Sequence, residues 1–406
     1  MSPPVLVEGE RSTVPEGGAR IRLVLILGVL TALGPFTVDM YLPALPAITD
    51  DFHTSDTAVQ LTLTGTLLGL ALGQLFIGPL SDVYGRRRPL VLGTAVHITA
   101  SLACYFAPSI TALGTLRTLQ GLGAAATGVI AMAVVRDLFD GSDAAVVLSR
   151  LMLVMGVAPV LAPSIGGLLL TAVSWHGVFL VLAGLGVVMI LLGGTAMPET
   201  LPPAARVGRG LATVLRTYVT LASDRSFMLL VLVCGLGRGV LWAYIAGSSF
   251  AMQEQFRLTP SVYGFAFAAG AVVLIGSSQL NVVLLGRWSP MSICFASLGV
   301  STLVGVVAIT LAATNTGGFL WFAIPVVVLL STTGFVIPNA PALALSRHGE
   351  AAGTAAALVG FAQFGAAAIV APIVGLLGNT SLAIAVAMTG SAILALAALL
   401  GATSLA

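Results

Sequence analysis

Apolar runs of roughly 20 residues, separated by short polar turns, recur along the chain from Arg22 to Thr403. A helix needs about 17–25 such residues to cross the ~30 Å hydrocarbon core of a bilayer. Six spans are predicted before residue 200, near 22–46, 58–80, 89–108, 110–135, 150–172 and 178–197. Six more follow, near 226–249, 260–284, 290–313, 318–340, 352–376 and 381–403. Composition agrees: 58% of the 406 residues are hydrophobic, 8% are charged and the mean hydropathy is +1.07, whereas a soluble domain is about 25% charged. The expected fold is an all-α membrane protein, with twelve transmembrane helices in two six-helix bundles.

The longest polar connection, PETLPPAARVGRGLATVLRTYVTLASDR, divides the chain. It makes residues 22–197 an N-terminal bundle, 198–225 a cytoplasmic linker and 226–403 a C-terminal bundle. Residues 1–21 read as a disordered cytoplasmic lead, with no apolar core followed by a small-residue cleavage site. The chain has no lysine, so arginines alone set the orientation. Both termini in the cytoplasm puts Arg11, Arg20, Arg22, Arg86, Arg87, Arg88, Arg136, Arg150, Arg206, Arg209, Arg216, Arg225, Arg287 and Arg347 inside, leaving only Arg257 outside. That asymmetry follows the positive-inside rule.

Other function classes lack their residues. A net charge of +2 with no basic patch offers nothing to nucleic acid. Cys104, Cys234 and Cys294 are too dispersed for a metal site. Without lysine there is no GxxxxGK phosphate loop. His53, His97, His176 and His348 fall in unrelated segments, so neither an enzyme nor a metal centre is expected.

Four constellations carry chemistry. Asp39, in TVDMYLPALP, is an acid within a span, and such residues face a cavity or a partner rather than lipid. Helix rise places it about 25 Å from the inner end of its span and Arg117, in LRTLQGLG, about 12 Å from the outer end of its own, at similar depths. The two are expected to share an aqueous pocket, with Gln120 on the same face as Arg117. Asp82, Gly85 and Arg86, in GPLSDVYGRRRP, form a cytoplasmic turn. There Asp82 is expected to accept from a helix N-terminus, and Arg86 to tie it to an acid on the next bundle, with Asp137 near enough to be the acid that Arg86 needs. Gly156, Pro159, Pro163, Gly166 and Gly167 crowd one span, expected to be a bent, tightly packed seam. Gly65, Gly69 and Gly73 make a close-contact ridge. The two halves also echo each other: LGPFTVDMY from Leu33 and LGRGVLWAY from Leu236, and APSIGGLL from Ala162 and APIVGLLG from Ala371. Such duplication suits a carrier built of two rocking bundles.

DMYLPALP, GQLFIGPLSD, RTLQGLGAAA, VVRDLF, LMLVMGVAPVLAPSIGGLL, PETL, GSSFAMQEQF and ALVGFAQFGAAAIVAPIVGLLG together resemble the major facilitator superfamily. The likeness is narrower still to the twelve-helix drug:proton antiporters of the Bcr/CflA type, which include bicyclomycin and chloramphenicol exporters. It covers about Leu25 to Gly378. The resemblance implies proton-coupled efflux of small neutral or amphiphilic drug-like molecules by alternating access. Asp39 and Arg117 match the coupling pair, Asp82, Gly85 and Arg86 the cytoplasmic gate, and Pro163, Gly166 and Gly167 the antiporter motif. Val83, Ala162 and His176 depart from it; Val83 stands where the gate commonly has arginine, which implies easier inward opening. Phe36, Gln120, Trp242, Tyr244, Gln363 and Phe364 are the expected substrate-pocket residues, with Arg238 either lining the cavity or pairing locally. Expected partners are a small-molecule substrate, H+ and membrane lipid, for a monomer in the bacterial inner membrane that uses the proton gradient and no cofactor. Export of an amino acid or another metabolite is the alternative, and a non-transporting sensor a remote one.

Overall fold

A computed structural model describes residues 17–405 except 140, 204–205, 207–210, 315–316, 347 and 349–350. Most of the lead, Arg11, Asp140, Arg209 and Arg347 lie outside the described residues. The first half comprises α1 (Gly17–Asp39), the short α2 (Leu45–Asp51), α3 (Asp56–Tyr84), α4 (Arg87–Tyr105), α5 (Ile110–Leu138), α6 (Gly141–Leu169) and α7 (His176–Leu191). After the linker helix α8 (Leu211–Ser223) come α9 (Arg225–Phe250), α10 (Pro260–Leu284), α11 (Pro290–Ala313), α12 (Gly318–Leu345), α13 (Ala352–Leu376) and α14 (Ser381–Ser404). Among the described residues, eleven helices are long and apolar enough to cross a membrane. The exception among the expected spans is α4, whose 19 residues begin with two arginines and include Thr94, His97, Thr99 and Ser101.

Local chemistry sets the helix starts. Ser55, Ser109, Asp224, Thr259, Ser289 and Thr380 each accept a hydrogen bond from a backbone N–H in the first turn of the helix that follows, satisfying one of its otherwise unpaired donors. Pro260 and Pro290 then occupy the first turn, where a missing N–H is harmless. Helix α1 starts at Gly17, inside the expected disordered lead. Its first turns are anchored: Arg20 pairs with Asp143 at 3.1 Å and lies over the Phe139 ring.

With lipid tails as apolar as the side chains, these helices associate through close packing of small residues. The ridge on α3 meets α5 backbone to backbone. A Cβ at Gly65 would fall 2.7 Å from the Gly114 carbonyl oxygen, and one at Gly69 would clash with the Thr118 carbonyl. Gly121 of α5 meets the Thr66 carbonyl in the same way. Bulky apolar side chains such as Leu25, Phe76, Leu92, Leu303 and Leu376 point outward, as a lipid-facing surface requires.

The halves meet along two repeated seams, α6 against α10 and α3 against α13. These carry the two copies of Ala-Pro-x-x-Gly noted in the sequence. Side-chain hydrogen bonds between halves gather at the arginine-poor end. Thr57 donates to the Gly375 carbonyl at 3.0 Å, Ser249 to that of Leu42 at 2.6 Å, and Gln253 to that of Pro43 at 3.3 Å. Ser164 and Ser261 add 3.3 Å bonds to the Gly264 and Gly167 carbonyls. At the opposite end the halves part around a cavity.

Candidate functional site

The cavity measures ≈ 800 Å³ and is walled by both halves. Its deep end is formed by Thr31, Gly34 and Pro35 of α1 with Arg238 of α9, and its mouth by Asp82, Val83, Arg86, Arg136 and Tyr218. It therefore opens at the arginine-rich end. Of the expected pocket residues, Gln363 and Phe364 line it. Trp242 and Tyr244 are instead packed inside the second half: the Trp242 indole donates to the Gln363 carbonyl at 3.0 Å, and Tyr244 stacks on Phe267. Phe36 packs against the core. Gln120 is fully buried, with its amide engaged inside the first half.

Asp39 ends α1 just beyond the cavity's deep end and is 4% exposed. The sequence pairs it with Arg117, but no ion pair joins the two among the described residues. Arg238, from the other half, lines the deep end of the cavity. Arg117 is 0% exposed and turned into the first bundle. Its Nη1 donates to the Thr37 carbonyl at 3.0 Å and to Gln120 Oε1, and its guanidinium lies 4.2 Å from the centre of the Tyr41 ring. Gln120 in turn donates to Ser101, while Thr37 Oγ1 bridges the Leu33 carbonyl and His97 Nε2. This network across α1, α4 and α5 offers Arg117 a cation–π face and carbonyls in place of a carboxylate. The residue that sequence reasoning missed is His97, whose signal was an imidazole in the middle of an otherwise apolar run.

At the mouth, Arg86 is held by a fork. Nε and Nη2 donate to the two Asp137 oxygens at 2.8 and 3.0 Å, while Nη1 donates to Asp82 Oδ1 and Ser81 Oγ. Burial disfavours its charge, but the Asp137 and Asp82 carboxylates outweigh this and hold the guanidinium more firmly protonated than usual. All these partners belong to the first half, so the cluster braces one bundle and does not reach the other. The carboxylate at the α4 N-terminus is Glu199 of the PETL segment rather than Asp82: its oxygens accept from the Arg86 and Arg87 backbone N–H groups at 2.8 and 3.2 Å, where the helix dipole favours negative charge. Gly85 makes room for it. Its φ is +86°, and a Cβ there would fall 2.5 Å from Glu199 Oε2. Arg86→Ala is expected to lower stability by about 3 kcal/mol, the cost of stranding a partly buried carboxylate such as Asp137. Asp82, at 58% exposure, adds little. Thermal unfolding in detergent checks this, with Arg86→Lys falling between, because it keeps the charge and loses the fork.

Helix α6 is the seam its glycines and prolines announce. Gly166 abuts the Met40 carbonyl, and a Cβ at Gly167 would fall 2.5 Å from the Pro260 carbonyl oxygen. Gly264 of α10 reciprocates, since a Cβ there would fall 2.6 Å from the Pro163 carbonyl oxygen, and Gly156 faces Ile275. Pro159 and Pro163 lie within α6 and free the Met155 and Pro159 carbonyls four residues before them; Ser164 donates to the Val160 carbonyl at 3.0 Å.

Comparison with known proteins gives a consistent result. The sequence profile described as Major Facilitator Superfamily matches residues 27–372. The MFS-type transporter YdgK of Bacillus subtilis is 35% identical over 394 residues, covering 96% of this chain and 97% of its own. A bicyclomycin resistance protein homolog of Haemophilus influenzae is 31% identical over 351 residues, covering 86% and 88%. Among solved structures, the nucleoside transporter NupG superposes with a TM-score of 0.71 over 94% of this chain and 99% of its own. At 12% identity that likeness concerns the fold alone.

Proposed function

Given that the chain belongs to the major facilitator superfamily of membrane transporters, we propose that it is a proton-coupled exporter of small neutral or amphiphilic drug-like molecules, working by alternating access. The observation that carries this reading is the ≈ 800 Å³ cavity between the halves, open at one end and sealed at the other, with a buried carboxylate, Asp39, about one helical turn along α1 from the lining residue Pro35. The similarity to a bicyclomycin resistance homolog favours a drug over a metabolite. In this reading the arginine-rich end is cytoplasmic and both termini lie there. Helix α4 is the twelfth span, with Thr94, His97 and Ser101 turned into the bundle and Leu92 and Leu102 toward lipid. Asp39 carries the proton. Arg117 fixes the α1 geometry around it. The Arg86 cluster keeps the first bundle rigid as it rocks, and the α6 seam closes the outer end. The protein works as a monomer in the bacterial cell membrane, driven by the proton gradient.

The test is an efflux panel in a pump-deficient bacterial host, comparing chloramphenicol, bicyclomycin, a cationic dye and cysteine. Lower accumulation of chloramphenicol or bicyclomycin, reversed by a protonophore, is the expected result. Export of cysteine alone would select the metabolite reading. Accumulation unchanged for all four would remove the efflux reading.

A further inference from the structure

Resting on the reading of the cavity as a transport site, we propose that Arg238, Gln363 and Gln74 form its recognition point, a cluster of hydrogen-bond donors. It selects compact molecules that present an acceptor oxygen and carry no positive charge. The acceptor is a carboxylate, or the carbonyl or nitro oxygen of a neutral molecule.

Arg238 lines the cavity and makes one side-chain bond, from Nη1 to Gln363 Oε1 at 3.0 Å. Its Nε is buried with no partner in the protein. A guanidinium has five N–H donors, and Gln363 meets one of them. Of the rest, those on the terminal nitrogens of this cavity-lining residue are left for something that enters the cavity.

Gln363 is held rigidly beside it. The Trp242 indole pins its backbone carbonyl at 3.0 Å, and the Trp242 ring packs on Phe364 with centroids 5.8 Å apart. With Oε1 committed to Arg238, the amide nitrogen of Gln363 is the group left to face a ligand, and it too is a donor.

Gln74 approaches from the other half. It lines the cavity on α3 and occupies the space left by Gly360, where a Cβ would fall 2.8 Å from its Oε1. Gly360 lies three residues before Gln363 on α13, on the same face. A ligand held here touches both bundles at the point where they must separate and rejoin.

Charge excludes cations. Asp82 and Arg86, both in the lining, pair with each other, which leaves two arginines, Arg136 and Arg238, as the other charged residues of the lining. Leu70, Val129, Met132 and Met155 supply the apolar remainder, as expected of a site that fixes orientation with a few polar groups.

The experiment measures equilibrium binding to the purified full-length protein in lipid nanodiscs, with no gradient imposed. The probes are three molecules on one skeleton: 4-(4-biphenyl)butyrate, its primary amide and the matching butylammonium. The carboxylate and the amide should bind, with the ammonium about 10-fold weaker or worse, the discrimination expected when a charge-assisted hydrogen bond is replaced by repulsion. Arg238→Gln should remove that preference. Gln74→Leu, on the opposite bundle, should weaken carboxylate and amide alike by roughly 3-fold and serves should Arg238→Gln not fold. Ammonium binding as tight as the carboxylate would overturn the proposal, as would failure of all three probes to bind or a folded Arg238→Gln protein that keeps the preference. Because the assay involves no proton gradient, the donor cluster and the proton-coupled reading can fail separately.

Discussion

Asp39→Asn is expected to reduce uphill efflux to the background of a pump-less host while leaving expression and folding at wild-type levels. The substitution keeps the shape of the side chain and removes its charge and titration. A carboxylate within a span costs about 2.5–3.5 kcal/mol on insertion scales, so its retention points to use. Asp39 is buried at the end of α1, and Arg238 of the opposite half lines the deep end of the cavity. In the proposed cycle, protonation removes the negative charge of a carboxylate buried just beyond the cavity. The Asn variant lacks that charge permanently and, in this cycle, can carry no proton. Accumulation assays at two external pH values check it; uphill efflux with an unchanged pH dependence would locate the proton elsewhere.

Gly167→Val should abolish transport by a different route. The α6–α10 seam is a reciprocal contact: Gly167 lies against the Pro260 carbonyl and Gly264 against that of Pro163. Added methyl groups have no flexible side chain to displace there, only backbone, so the halves must separate at the arginine-poor end. Efflux should fall to background, and a cysteine placed at Ser261 should become reactive to a membrane-impermeant maleimide from outside. Gly276→Val on α10, where a Cβ would meet nothing within 4 Å, should leave both readouts unchanged.

Much of the architecture was legible in the sequence because hydrocarbon thickness and backbone hydrogen bonding leave a chain few choices. The expected spans 260–284, 290–313 and 352–376 coincide with α10, α11 and α13. Others run a turn or more past their apolar stretch, as α3 does to Tyr84 and α12 to Leu345, because a helix continues into the polar region while its backbone bonds are met. The glycine ridge and the α6 seam were legible for a related reason: only small residues let helix axes approach so closely.

Partner identity was less legible. Arg117 and Asp39 lie at similar depths, but depth along two helices says nothing about rotation about their axes, and Arg117 turns toward Tyr41 and the Thr37 carbonyl. Glu199 reaches the α4 N-terminus from more than a hundred positions away, and no local spacing encodes such a contact. Trp242 and Tyr244 look like pocket residues by type. They face inward because α9 is buried on most sides, against α13, α14 and α12.

Proton movement in proteoliposomes tests the central claim most directly. With a pH-sensitive dye inside and chloramphenicol added to one side, wild-type protein should move protons opposite to the drug, and the Asp39→Asn protein should move none. Drug flux without proton flux in the wild type, or equal proton flux in the variant, would contradict the account.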